Sequence, residues 1–190
     1  MKRSKAETAE TRKSIIKAAT QRFGRYGIHA TGLADVMAEA GLTHGGFYRH
    51  FGSKDQLVAE ACTAGLDALI ASSERATHRA DTGQAIEAII TNYLTPRHRD
   101  DRAGGCPIAA LGSELMRAEE KTRAAAAEGV ERLIEEIVKH LPDRSPEAAR
   151  AEAAYALSAM VGAITISRLV QDSELSDMIL RETRKRLIDA

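Results

Sequence analysis

The chain has 190 residues, 44% of them apolar, with no tryptophan and two cysteines, enough for one large domain or two small ones around a buried core. No window approaches about 18 uninterrupted apolar residues, the polar start MKRSKAETAETRKS has no signal-peptide core, and two cysteines are too few for a disulfide framework; a transmembrane helix is excluded and a reducing cytoplasm is the expected setting. The 27 basic and 27 acidic side chains cancel overall, but residues 1–60 carry ten Lys/Arg against six Asp/Glu, which points to a local anionic partner, most simply nucleic acid, or else to an ordinary solvated basic surface.

The first few residues read as a basic arm. Ile15, Ile16, Ala19, Phe23 and Tyr26 then recur at three-to-four spacing, and Gly27 stops the helix. Two short helices follow, Thr31–Ala40 closed by Gly41 and Thr43–His50 ended near Gly52. A longer helix starts at Ser53, where SKDQ is a capping box. Its apolar stripe runs through Leu57, Val58, Ala61, Cys62, Gly65, Leu66, Leu69 and Ile70. Beyond about residue 80, Ile86, Ile89, Ile90 and Tyr93 mark one helix. TPRHRDDRAGG reads as a polar loop, and Pro107–Arg117 as the next helix. Val130, Leu133, Ile134, Ile137 and Val138 lie on another, ended by LPDRSP. Pro146 opens a helix to about Gln171. That helix is apolar on most sides and rich in small residues, so several of its faces need cover. A last helix spans about Glu174–Ile188. The expected fold is all-α, with about nine helices and no strand or internal repeat.

Two short helices separated by Gly41-Leu42 have the length and turn chemistry of a helix-turn-helix, whose second helix enters the DNA major groove. At about 100° per residue, His44, Gly45, Tyr48 and Arg49 share one arc, while Phe47, His50 and Phe51 share the opposite one. Gly45 and Gly46 fall at the leading end, where the absence of side chains lets the backbone approach the duplex. A glycine-rich loop with a hydrophobic clamp and no ligand is the alternative for this stretch.

TGLADVMAEAGLTHGGFYRHFGSKDQL, with IIKAATQRFGRYG upstream, resembles the DNA-binding domain of the TetR-type transcriptional regulators. Ala19, Phe23, Gly27, Thr31, Ala40, Gly41, Tyr48, Phe51 and Lys54 carry the resemblance, which runs from about Thr8 to Leu66. Met37 and Gly46 depart from it. The resemblance implies residues 8–68 as the DNA-binding domain and 69–190 as a helical ligand-binding and dimerisation domain. It further implies a homodimer on a pseudo-palindromic double-stranded operator, released by a small-molecule effector. Neither cofactor nor metal is expected.

Among individual residues, Tyr48 and Lys54 are the expected phosphate contacts, a phenol donor and an ammonium at a helix start. Thr31 and Thr43 are expected to cap helices and to reach phosphate through the same hydroxyls. His44 and Arg49 are positioned for base edges, or Arg49 for phosphate. His50 packs or caps. In GGCPIAALGSEL, Pro107 suits the first helical position and places Cys106 at the N-cap. A thiolate there is favoured by the helix end, beside a loop holding Arg97, His98, Arg99 and Arg102, so an electrophile or oxidant sensor is one reading. A structural capping cysteine is the other. This segment resembles, more weakly, the start of a ligand-domain helix in some TetR-type regulators. Cys62 belongs to the core. Tyr93, Cys106, Met116, Tyr155 and Met160 are the candidate effector contacts, or simply core. Two rival functions are a thiol-dependent enzyme using Cys106 with His98, and an architectural DNA-binding protein. The first lacks an orienting group, and the second needs no apolar helices of some 120 further residues.

Overall fold

The computed structural model describes residues 5–81 and 83–189. The expected basic arm falls largely on residues outside that range. Among the described residues there are nine α-helices, one 3-10 helix and no strand. The α-helices are α1 (Lys5–Tyr26), α2 (Leu33–Glu39), α3 (Lys54–Thr77), α4 (Ala85–Tyr93), α5 (Pro96–Asp100), α6 (Pro107–Leu115), α7 (Glu120–Val138), α8 (Pro146–Leu169) and α9 (Ser173–Ile188). The 3-10 helix, His44–Arg49, lies between α2 and α3 and is called the recognition turn below.

Helix α1 buries Ile15, Ala18, Ala19 and Phe23, one stripe at helical spacing. It stops because Gly27 takes φ +87, a left-handed conformation that ends a helix without a Cβ penalty. Gly41 does the same after α2 at φ +71. Its N–H reaches the Ala38 carbonyl at 3.0 Å, and the next N–H, of Leu42, reaches Met37 at 2.8 Å. Ser53 caps α3 by accepting from the Gln56 N–H at 3.0 Å. The other half of the expected box is displaced by one residue: Gln56 Oε1 accepts from Gly52 N at 2.8 Å.

Helix α3 is the spine. It packs on α1 at one end and on α4 and α7 along its length. Helix α8 packs on α7 and α9, and more lightly on α5 and α6. One continuous apolar core runs from Ile15 through Phe23, Leu57, Leu66, Tyr93 and Leu133 to Ile164 and Leu180. The TPRHRDDRAGG segment is not a plain loop, because Thr95 accepts from His98 N at 3.0 Å and starts α5. Helices α6 and α8 end two residues before the expected points.

Candidate functional site

The second helix of the helix-turn-helix is 3-10 rather than α. Gly45 and Gly46 in one six-residue stretch lower helix propensity by about 1 kcal/mol each, and 3-10 geometry is used in such short pieces. Phe47 anchors the turn. It is fully buried and stacks on Phe51, with ring centroids 5.5 Å apart and 21° between planes. Arg12 lies over the Phe51 ring at 4.5 Å and is paired with Glu60. This clamp ties α1, the turn and α3 together.

The opposite face of the turn is open. Thr43, His44, Gly45, Tyr48 and Arg49 are exposed, Tyr48 by 68%. Among the described residues, the His44 and Arg49 side chains make no hydrogen bond or ion pair, so both are free to meet a ligand. A Cβ on Gly45 would touch nothing within 4 Å, whereas one on Gly46 would meet Met37 Cε at 3.5 Å. Gly45 therefore faces outward, and Gly46 lies over the core.

Two expectations are corrected here. Thr31 is fully buried; it precedes α2, whose N-cap is Gly32, and its hydroxyl donates to the Gly27 carbonyl at 2.7 Å. It secures the end of α1 and is not presented to a phosphate. Lys54 is half-buried, and its ammonium donates to the Ile28 and Thr31 carbonyls at 2.6 and 2.7 Å. It pins the α1–α2 loop to the start of α3. Thr43 is at the N-cap of the turn but makes no side-chain cap bond, so its hydroxyl remains open.

The expected effector contacts lie in the C-terminal helices. Tyr93 and Met160 line a narrow cavity with Leu69, Ser73, Leu133 and Glu136, with room for roughly one water. Burial pushes the Tyr93 phenol well above its ordinary pKa, and the neighbouring Cys106 adds to the rise. Met116 and Tyr155 do not join them. Met116 caps the end of α6 at 64% exposure, and Tyr155 is 65% exposed on the outer face of α8.

Residues 82–181, more than half of the chain, match the family described as the C-terminal domain of LmrA/YxaF-like transcriptional regulators, and residues 15–61 match bacterial regulatory proteins of the tetR family. The chain belongs to the TetR family of transcriptional regulators. This TetR-family chain is 27% identical over 190 residues to the HTH-type transcriptional regulator Rv0196 of Mycobacterium tuberculosis, covering 93% of this chain and 94% of that one. It is 41% identical over 59 residues to the probable acrEF/envCD operon repressor of Escherichia coli, 31% of this chain and 27% of that one. A TetR transcriptional regulator from Chloroflexus aurantiacus has the same fold, with a TM-score of 0.81 at 24% identity over 96% of this chain and 94% of the other.

In this TetR-family protein Cys106 is at the N-cap of α6 but fully buried. Burial raises its thiol pKa, against the opposing pull of the Tyr93 hydroxyl and the Ala109 and Ile108 N–H groups. The thiol is thus held protonated and shielded, contrary to a reactive thiolate. His98 is not a base for it. Its Nδ1 lies 2.7 Å from the Tyr93 carbonyl and its Nε2 accepts the Cys106 backbone N–H at 2.9 Å, so both ring nitrogens are used by a neutral ring. Burial, the largest influence, lowers the His98 pKa, in keeping with that tautomer. Cys62 is buried as expected, its thiol raised to about 11.

Sequence reasoning missed Glu136 and Arg168. Glu136 falls on the arc of Leu133 and Ile137, and a carboxylate in an apolar stripe is a readable signal. Arg168 similarly interrupts apolar α8, where it donates to the Arg99 and His98 carbonyls at 2.8 and 3.0 Å and braces α5. Among the described residues, no group of three or more His, Cys, Asp or Glu is placed to hold a metal, and no helix is long and apolar enough to cross a membrane.

Proposed function

We propose that the protein is a ligand-responsive repressor: a homodimer that binds a pseudo-palindromic operator and leaves it when a small molecule occupies the C-terminal helices. The observation that carries the reading is the recognition turn, with Phe47 buried beneath it, Tyr48 exposed with its ring edge-on to Phe47, and His44 and Arg49 projecting outward with no hydrogen bond or ion pair among the described residues. Phosphates would be met by Tyr48 and the Thr43 hydroxyl, and base edges by His44 and Arg49. Gly45 leaves the leading end of the turn open to the duplex.

In this reading residues 8–68 bind DNA and residues 69–190 bind ligand and dimerise. Helix α3 crosses that boundary. It begins at Lys54, which holds the α1–α2 loop, and it lines the inner cavity with Leu69 and Ser73. A second link is Glu114 of α6, which accepts from His29 N at 2.9 Å. A change in the packing of α3, α4, α7 and α8 therefore has two direct routes to the helix-turn-helix. For the dimer, α8 and α9 expose Tyr155, Ile166, Leu169, Leu175 and Met178, apolar side chains that a second copy would cover.

The test is a gel shift at fixed salt with DNA flanking the protein's own gene, scanned with and without a panel of small molecules. A specific shifted band relieved by one class of compound is the expected result. Equal binding to all duplexes, unaffected by every compound, would remove the operator reading.

A further inference from the structure

We infer that the polar cavity between the end of α5, the α8–α9 turn and the first turn of α9 binds a small dianion, a phosphate or a dicarboxylate, through Arg102 and Arg168. The site shares no lining residue with the apolar cavity of Tyr93 and Met160, and the inference does not depend on the operator reading. The cavity holds about 370 Å³, within the range of about 300–1,000 Å³ usual for small-molecule sites. Its walls include Arg99, Arg102, Arg168, Gln171 and Ser173.

The three arginines differ in what balances them. Arg99 is paired with both Asp100 and Asp177. Among the described residues, neither Arg102 nor Arg168 has a carboxylate within ion-pair range. Arg168 is half-buried and held in place, because its Nε and Nη2 donate to the Arg99 and His98 carbonyls at 2.8 and 3.0 Å. Its Nη1 is buried and makes no hydrogen bond. Burial disfavours the charged form of Arg168 and lowers its pKa, and the charge of Arg102 nearby acts in the same direction. Two neighbouring cations without a counter-charge, one of them partly desolvated, are costly, and an anion relieves both at once. The planar fork of a guanidinium suits an oxyanion with paired oxygens.

The acidic groups around the cavity do not compete, because each is already engaged. Asp100 and Asp177 hold Arg99. Asp101 accepts from Gly104 N at 2.8 Å and acts on Arg168 only from beyond ion-pair range. Asp172 caps α9 by accepting from Leu175 N at 3.0 Å. Gln171 and Ser173 are exposed, and among the described residues their side chains make no hydrogen bond, which leaves an amide and a hydroxyl to donate to further oxygens. Two unbalanced guanidiniums match two negative charges, so a dianion is preferred over a monoanion.

The probes are sodium phosphate, succinate and acetate, titrated at mildly alkaline pH and constant ionic strength. Calorimetry on the full-length protein is expected to find one phosphate or succinate per chain, each bound about tenfold or more tighter than acetate, the gain of one charge-assisted contact. Arg102→Ala should bring both dianions to the acetate level at an unchanged melting temperature, since that side chain has no partner to lose. Arg168→Lys keeps the charge without the fork and should weaken both dianions; the Arg102 arm carries the test if this variant folds poorly. Arg123→Ala, an exposed arginine of α7 outside the cavity, should change neither. Phosphate binding more tightly than succinate supports a phosphate ester as the source, and the reverse order supports a dicarboxylate. Dianions bound no tighter than acetate, no binding at all, or parent affinity in Arg102→Ala would overturn the inference. So would an equal loss in Arg123→Ala, which would mark diffuse attraction to surface charge.

Discussion

Lys54 offers a sharp test because its charge has two competing uses. Its ammonium donates to the Ile28 and Thr31 carbonyls at 2.6 and 2.7 Å from a half-buried position. Lys54→Met keeps most of the apolar stem and deletes both bonds. A hydrogen bond to a charged group contributes about 1.5–3 kcal/mol, and partial exposure places each of these near the lower end, so the pair contributes roughly 3 kcal/mol. For a chain of this length 1 kcal/mol moves the melting temperature by about 2–4 °C, which gives a fall of roughly 6–12 °C. Far-UV circular dichroism on heating measures it. Operator affinity in a salt series is the second readout. A lost phosphate contact flattens the slope of log K against log salt by about 0.9, whereas a lost loop anchor weakens binding at all salts with the slope unchanged. The loop-anchor outcome is expected. A melting temperature within about 1 °C of the parent, together with a flatter slope, would refute the reasoning.

Tyr48→Phe should weaken binding to all duplexes alike, since phosphate contacts carry no base information; a change of ranking among operator variants would move Tyr48 to the base-reading set. His44→Ala and Arg49→Ala should change that ranking, and uniform weakening would assign the residue to the backbone. His98 has a pKa below the ordinary 6.5, so the unfolded chain takes up its proton first as pH falls. Its contribution to stability is full above 6.5 and is lost progressively as pH drops through 6.5 toward the lower folded value; His98→Asn should flatten denaturant stability against pH in that window, and an unchanged slope would sink the assignment. Gly162 faces open space on α8, so Gly162→Arg should leave the protomer folded while sedimentation shows monomers that have lost operator affinity; a parent protein that is itself monomeric at micromolar concentration without DNA would contradict the proposed dimer.

The helices and their stops were legible because each rests on local chemistry. Gly27 and Gly41 adopt the left-handed conformation that their positions suggest, and Ser53, Pro107 and Pro146 start helices where their caps and rings permit. The recognition turn was legible as a two-faced element, because Phe47 and Tyr48 are adjacent and must diverge. Its 3-10 winding was not, since two glycines weaken an α-helix without naming its replacement. What failed is direction. Thr31 at a helix start reads as a cap, but the chain turns its hydroxyl back to Gly27. Tyr155 shares α8 with Met160, yet periodicity on a helix apolar all round cannot say which face is covered by the same chain. Glu136 carried a signal in its apolar neighbours, and only the packing of α3, α4 and α8 around it shows that it borders a cavity.

The cavity's small size bears on how such a site would work. Pockets for small molecules usually span about 300–1,000 Å³, far more than the single-water space between α3 and α8. A ligand of that size fits only if the helices separate. Its measured affinity is then its affinity for the opened form multiplied by the fraction of protein already open. Two connections leave the cavity region and would carry such a separation toward the helix-turn-helix. Helix α3 runs from Leu69 and Ser73 at the cavity to its other end, where Lys54 holds the Ile28 and Thr31 carbonyls. Helix α6 meets the α1–α2 loop through Glu114 and His29. A closed cavity is therefore consistent with a regulator whose DNA-binding arrangement is the empty one. A ligand would act by its preference for the opened helices, and its effect on operator affinity can be no larger than that preference.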